Sequence, residues 1–120
     1  AEVLPYAIGL MDNVLGWFVV GVEEEHSPYM FALSQSHPNP FLNNTTIVYE
    51  IPKNALVSLK VYDITGRTVR ILENDEKNAG LHTVSWDGKD DKNRKVPDGI
   101  YFYRLEVGEN TATGKMVIMR

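Results

Sequence analysis

Cysteine is absent from this sequence, and that absence excludes several kinds of protein. None of the 120 residues carries a thiol, so a disulfide scaffold, a thiolate nucleophile and a cysteine zinc site are all excluded. Long apolar runs are missing too. The longest, at 14–22, has nine residues and contains two glycines, whereas a membrane-spanning helix needs about 20 apolar residues. The sequence therefore predicts no membrane insertion.

Basic residues are missing from the first 52 positions, and the first to occur is Lys53. That stretch holds six acidic residues, and the formal net charge of the whole chain is −4. A chain of this charge gives no reason to expect nucleic acid as a partner. The uneven distribution indicates two parts of different origin.

Catalytic patterns are also lacking. The sequence contains neither a GxSxG turn nor an HExxH helix. Its three histidines stand in unrelated contexts: His26 in an acidic stretch, His37 before a proline, and His82 on an apolar strand face. A catalytic triad needs a nucleophile, a base and an orienting acid in one pocket. We therefore expect no enzymatic activity and no cofactor.

What the sequence does contain, from position 45 onward, is short stretches of strand-forming residues separated by turn residues. Apolar and polar residues alternate in several of them, as expected for half-buried strands. The pattern predicts strands at 45–51, 56–62, 68–72, 81–86, 100–107 and 111–119, a loop at 73–78 and a long polar loop at 87–98. Regular short strands without a credible helix favour a β-sandwich over a βαβ fold.

The polar loop contains a weak calcium candidate formed by Asp87, Asp90 and Asp91. Calcium takes six to eight oxygen ligands, and the spacing here matches an EF-hand loop poorly. Four basic residues are interleaved with these acids. We therefore favour the alternative, in which the aspartates cap backbone N–H groups in turns, and predict no metal.

Four blocks of residues, in order, resemble a known family. The first is Pro38-Asn39-Pro40-Phe41 followed by TTIVYEIP; the second is VSLKVYDITGRTVRIL, containing Gly66. The third is Trp86-Asp87-Gly88, and the fourth runs from Gly99 through Tyr101 and Tyr103 to Lys115 and Arg120. Over about 33–120 the chain resembles the C-terminal sorting domains of the type IX secretion system. The third and fourth blocks are shared with the related Ig-like domain of the flagellar hook-capping protein.

The resemblance implies an all-β fold, an Ig-like antiparallel β-sandwich of about seven strands. It also implies a domain at 33–120. Residues 1–32 lie outside the resemblance, and their apolar and acidic composition indicates the tail of an upstream region and an acidic linker, with 14–22 as a candidate extra strand. In that family the domain is a secretion signal for a cargo domain upstream in the same chain. An outer-membrane translocon reads the signal, and a sortase-like peptidase can then remove it and attach the cargo to the surface of a Gram-negative bacterium.

The final strand suggests how such a signal is read. Strands at the edge of a sheet offer unpaired N–H and C=O groups. We therefore expect translocon recognition at the last six residues, which are Lys115, Met116, Val117, Ile118, Met119 and Arg120. Two alternatives remain open. One is a structural or accessory carbohydrate- or protein-binding module of an extracellular enzyme or adhesin, with Tyr101 and Tyr103 as the binding face; the other is an assembly domain of the hook-capping type.

Overall fold

The computed structural model describes residues 27–120, and this part of the chain consists of seven strands joined by turns and loops. The strands are β1 (Ala32–Leu33), β2 (Thr45–Ile51), β3 (Ala55–Tyr62), β4 (Thr68–Lys77), β5 (Gly80–Trp86), β6 (Gly99–Val107) and β7 (Asn110–Ile118). Over the described residues there is no helix that is long and apolar enough to cross a membrane.

Two antiparallel sheets make up the sandwich. One has three strands in the order β1-β2-β5, and the other has four in the order β4-β3-β6-β7. Only β3 and β6 have strand neighbours on both sides in the larger sheet, so β4 and β7 are its edges. This architecture confirms the predicted all-β, Ig-like sandwich of about seven strands.

The core lies between the sheets and follows the alternation of the strands. Strand β2 shows it most clearly, with every odd-numbered residue from 45 to 51 buried and every even-numbered one half-buried. Trp86 is the largest fully buried side chain, and Tyr49, Tyr103 and Leu59 are likewise inaccessible to solvent. Side chains at period two point to the same face of a strand, so such alternation places one face in the core.

Strand β4 is longer than the sequence predicts. It continues to Lys77, so the prediction of a loop at 73–78 is wrong for its first five residues. The polar residues there pair with the first half of β3, in a register that runs from Ala55 opposite Lys77 to Leu59 opposite Glu73. An edge strand tolerates charged side chains because one of its sides faces solvent, and backbone pairing with β3 outweighs low intrinsic strand propensity.

The seventh strand, β1, spans the predicted domain start at residue 33. Ala32 and Leu33 pair with Glu50 and Tyr49 of β2, and Phe31 packs against the core. The packed sandwich thus includes Phe31 and Ala32, which the sequence analysis assigned to the linker. The candidate strand at 14–22 and most of the acidic stretch lie outside the described residues.

Candidate functional site

The aromatic residues of the motif blocks meet at one end of the sandwich. The Trp86 ring lies edge-on to Phe41, with 5.7 Å between ring centroids, and edge-on to Tyr101, at 5.5 Å. Such edge-to-face pairs are favourable beyond their buried area. The indole Nε1 donates to the carbonyl of Lys89 at 2.9 Å, so Trp86 also fixes the start of the 87–98 loop.

Arg120 closes the same loop from the other side. Its Nη1 donates to the carbonyl of Val96 at 2.8 Å and contacts Asp98 Oδ1 at 3.1 Å. Its backbone N–H donates to the second oxygen of Asp98. Gly88, with a φ of +74°, lies directly beneath: a Cβ there would lie 2.9 Å from Arg120 Nη2. The glycine of the Trp-Asp-Gly block thus makes room for the terminal arginine.

The Asn39–Phe41 segment completes part of the outer edge of β7. Phe41 N–H donates to Val117 O at 3.0 Å, and Met119 N–H donates to Phe41 O at 3.0 Å. Asn39 Oδ1 accepts from Val117 N–H at 2.8 Å. The peptide bonds preceding Pro38 and Pro40 are both cis. The proline block therefore forms a single parallel bridge with β7, between Phe41 and Ile118, and is not only a lead-in to β2.

A tyrosine ties β6 to the start of the fold. The Tyr103 hydroxyl donates to Ser34 O at 2.7 Å and accepts from Ser36 N–H at 2.9 Å. Burial raises the pKa of this phenol above its ordinary value. The ring crosses β7 over Gly114, where a Cβ would lie 2.7 Å from Tyr103 Cε1. Only glycine leaves the space that the ring occupies.

Two loops share one geometry that the sequence reasoning missed. In Asp63–Arg67, Asp63 Oδ1 accepts from the N–H groups of Thr65 and Arg67 at 2.9 and 3.1 Å. In Asp90–Arg94, Asp90 Oδ1 accepts from Lys92 and Arg94, both at 2.9 Å. The fourth residue has positive φ in both, 88° at Gly66 and 64° at Asn93. The shared pattern is Asp-x-x-(Gly/Asn)-Arg, and its spacing was the available signal.

These bonds also stabilise the ionised aspartates. The Thr65 hydroxyl, followed by backbone N–H groups and the Arg67 charge, holds the pKa of Asp63 below its ordinary value. For Asp90 the main cause of a lowered pKa is the backbone N–H of Arg94, aided by that of Lys92 and by the Arg94 side chain. Hydrogen bonds to a carboxylate favour its charged form. Both loops line one open surface groove, together with Lys95 and Pro97.

The three calcium-candidate aspartates are engaged within the protein. Asp87 Oδ1 accepts from Lys89 N–H, and Asp91 Oδ1 accepts from Ile71 N–H on the edge of β4. Arg70 lies between them, 3.5 Å from Asp87 and 3.8 Å from Asp91. Over residues 27–120, no three acidic or histidine side chains converge into a group that could hold a metal ion. The geometry is that of the capping turns favoured by the sequence.

The last six residues differ greatly in exposure. Met116 and Ile118 are buried in the core, Val117 is half-buried, and Arg120 is held by the 87–98 loop. Lys115 is exposed, and Met119 is 61% exposed. The expectation that this whole segment offers an open edge is wrong, because Asn39–Phe41 covers its second half. Among these six residues, Lys115 and Met119 are the ones whose side chains are exposed and not held by another segment.

The remaining motif residues, Gly66, Gly99 and Tyr101, support the backbone and the core. Gly66 and Gly99 have φ values of 88° and 144°, a region that favours glycine. Tyr101 is 6% exposed and donates its hydroxyl to Pro97 O at 2.7 Å. Because Tyr101 and Tyr103 are both buried, the alternative in which they form a carbohydrate-binding face is wrong.

Comparison with known proteins gives a family match over most of the sandwich. The model of the FlgD Ig-like domain matches residues 43–112. The chain is 47% identical over 45 residues to the basal-body rod modification protein FlgD of Salmonella typhimurium. That match covers 38% of this chain and 19% of the FlgD protein, so the chain spans about a fifth of the relative.

Solved structures share the fold at low sequence identity. Dimeric latent PorU from Porphyromonas gingivalis aligns with a TM-score of 0.62 and 22% identity, covering 85% of this chain and 10% of PorU. PorZ, a surface component of the type IX secretion system of the same bacterium, aligns with a TM-score of 0.50 and 17% identity, covering 75% of this chain and 11% of PorZ. In both cases the aligned region is a small part of a much larger protein.

Proposed function

The chain belongs to the family of FlgD Ig-like domains. We propose that it is a non-catalytic sorting domain read in its folded form by an outer-membrane translocon. The cargo is the region upstream in the same chain. The fold shared with PorU and PorZ supports a type IX context, and the four motif blocks support the sorting role. Cell-surface export, with removal by a sortase-like peptidase, belongs to the same proposal.

One observation carries the proposal that the signal is a folded surface. The residues that close the motif, Lys115 to Arg120, are built into the sandwich: Met116 and Ile118 are core residues, and Arg120 anchors a loop. Unfolding this segment for recognition would expose that core, which costs several kcal/mol. A translocon therefore meets the intact domain and reads side chains such as those of Lys115 and Met119.

The exposed part of this end is partly apolar. Met119 lies beside Leu42, Pro38 and Pro40 around a shallow surface depression, and Leu42 is 60% exposed. Exposed apolar side chains grouped in this way are typical of interaction surfaces. Lys115, which is also exposed, adds a positive charge on β7.

A reporter fusion tests the proposal. All 120 residues are fused behind a periplasm-targeted reporter and expressed in a bacterium with a type IX translocon and in its translocon-deficient mutant. We expect the reporter outside the cell only in the first strain. Deleting residues 111–120 is a poor test, because it removes the core residues Met116 and Ile118.

Point variants give the sharper comparison. Met119→Ala and Lys115→Ala remove exposed side chains and should lower export several-fold without changing the melting temperature. Leu81→Ala is the matched control, since Leu81 is 66% exposed on β5 of the other sheet. Export that is independent of the translocon, or equal for all these variants, contradicts a sorting signal at this surface.

A second candidate function is an assembly domain of a larger extracellular structure. The observation that favours it is the 47% identity to a basal-body rod modification protein over 45 residues. A reporter that stays in the periplasm of the competent strain, while the chain pulls down components of a basal body, would support this candidate instead. The broader alternative, a structural or protein-binding module of an extracellular enzyme or adhesin, predicts neither result.

A further inference from the structure

The outer edge of β7 is closed along one half only. Its backbone groups alternate between β6 and the outside, and the outward groups at Val117 and Met119 bond to Asn39 and Phe41. Gln35 Nε2 donates a hydrogen bond to the carbonyl of Lys115 at 2.8 Å. By the same alternation, the N–H and C=O groups of Thr111 and Thr113 and the N–H of Lys115 point outward. Among residues 27–120, none of these five groups has a hydrogen-bond partner.

The opposite edge of this sheet is protected more completely than the open half of β7, which has no covering loop among residues 27–120 and a single charged residue, Lys115. Asp91 covers β4 near Val69 and Ile71, donating its N–H to Val69 O and accepting from Ile71 N–H. The uncovered half of β4 carries four charged residues among Glu73–Lys77. Covering loops and charges are common means of preventing edge-to-edge pairing. The open half of β7 has neutral, β-branched Thr111 and Thr113, which favour pairing.

The side chains around the open half indicate what a paired segment would look like. On the core side Ala112 and Gly114 are small and half-buried, and the Tyr103 ring occupies the space beside Gly114. On the outer face Lys115 is exposed and lies opposite Phe102. Arg104, which lies opposite Thr113, is already paired with Glu106 at 3.3 Å and lies over the Tyr62 ring. Of these two cations, Lys115 is therefore the one that complements an acidic side chain on a neighbouring strand.

We propose that Thr111–Lys115 is a strand-addition site for an extended segment of another protein that carries an acidic side chain on its outer face, beside Lys115. Main-chain hydrogen bonds to the five open groups supply affinity, and the charge pair with Lys115 supplies specificity. The site rests on the proposed sorting function, in which that protein is a component of the translocon. It adjoins the part of the same edge where Phe41 forms a parallel bridge with Ile118.

Proline substitutions in the full 120-residue reporter fusion test the site. Thr113→Pro and Thr111→Pro each remove an outward N–H and leave the ladder to β6 intact, a position where proline is tolerated. Each should reduce export at least tenfold in the competent strain. Thr113→Val keeps the N–H and should be exported like the unchanged fusion. Two separate prolines are used so that one poorly folded variant, recognised by its melting curve, does not decide the result.

A matched control lies on the other sheet. Thr83 is an exposed threonine on β5, and within residues 27–120 the strand partner of β5 is β2 alone, so Thr83→Pro places the same change on a different sheet edge. We expect it to be exported normally. Lys115→Glu tests the chemistry of the occupant and should lower export through repulsion of the acidic side chain.

The outcomes separate the two proposals. If the unchanged fusion is exported through the translocon and the folded β7 prolines are exported equally well, the strand-addition site is wrong and the sorting function stands. Loss of export with Thr83→Pro alone also overturns the site, because it assigns recognition to β5. If the unchanged fusion is not exported, the sorting function is wrong, and the site falls with it.

Discussion

The guanidinium of Arg120 lies against Gly88, two residues that are 32 positions apart in the chain, and Nη2 reaches the Gly88 carbonyl at 3.4 Å. Positive φ at Gly88 disfavours a side chain there, and a Cβ would displace the guanidinium of Arg120. Gly88→Ala should therefore lower the free energy of unfolding by about 1 kcal/mol through backbone strain alone, and further through displacement of Arg120. Chemical denaturation measures the change.

A double-mutant cycle separates these two contributions. In the Arg120→Ala background the guanidinium is gone, so Gly88→Ala should cost only the backbone strain. Contacting residues in one network typically show coupling of about 0.5–3 kcal/mol. Additive effects would mean that Arg120 does not depend on the glycine.

Gly114→Ala on β7 should strongly destabilise the protein. The added methyl group meets the buried ring of Tyr103, which cannot move without breaking its bonds to Ser34 and Ser36. Overpacking of a rigid site costs roughly 3 kcal/mol at the upper end of the usual range. Thr113→Ala is the neighbouring control, since that side chain is exposed. A thermal melt of Gly114→Ala that matches the control would contradict the prediction.

Asp63→Asn and Asp90→Asn should each reduce the amount by which the free energy of unfolding falls when the solution is acidified. The pKa of each carboxyl is lowered in the folded protein, so each contributes stability that is present above the unfolded pKa of about 3.9 and is lost as pH falls through the folded value. The asparagine variants lack that titration. Denaturation between about pH 2 and pH 6 measures the slope, and Asp75→Asn on the exposed edge of β4 is the control.

Tyr49→Phe should destabilise the protein at neutral pH and protect it from base. The Tyr49 hydroxyl donates to Glu73 Oε1 at 2.8 Å across the two sheets, and a hydrogen bond to a charged group contributes about 1.5–3 kcal/mol. Burial, followed by Glu73, raises the pKa of this phenol well above 10.

The raised pKa of Tyr49 determines how its contribution to stability depends on pH. Because the folded pKa is raised, the stability due to Tyr49 is complete below the unfolded pKa of about 10 and declines as pH rises above it. The phenylalanine variant has nothing to ionise there, so the difference between the two proteins should narrow from pH 9 to pH 12. A constant difference across that range would show that Tyr49 ionises normally.

Much of the sandwich is predictable from local sequence, because alternation is a local property. Strand β2 occurs where TTIVYEI predicts it, and β3, β5 and β6 differ from prediction by one residue at one end. Trp86 is the core residue that its strand face indicates. Strand β4 was underpredicted because Glu73–Lys77 is held by pairing with distant β3, which no local pattern records.

The sequence by itself determined the strand pattern, the absence of thiol chemistry and the motif blocks. Only the tertiary structure decided what those blocks do: Phe41, Trp86, Gly88, Tyr101 and Arg120 come together at one end of the sandwich. It also decided which half of β7 is open, because the segment that covers the other half comes from about 78 positions earlier in the chain. Edge exposure depends on which segments lie beside a strand, and the fold of the whole chain sets that arrangement.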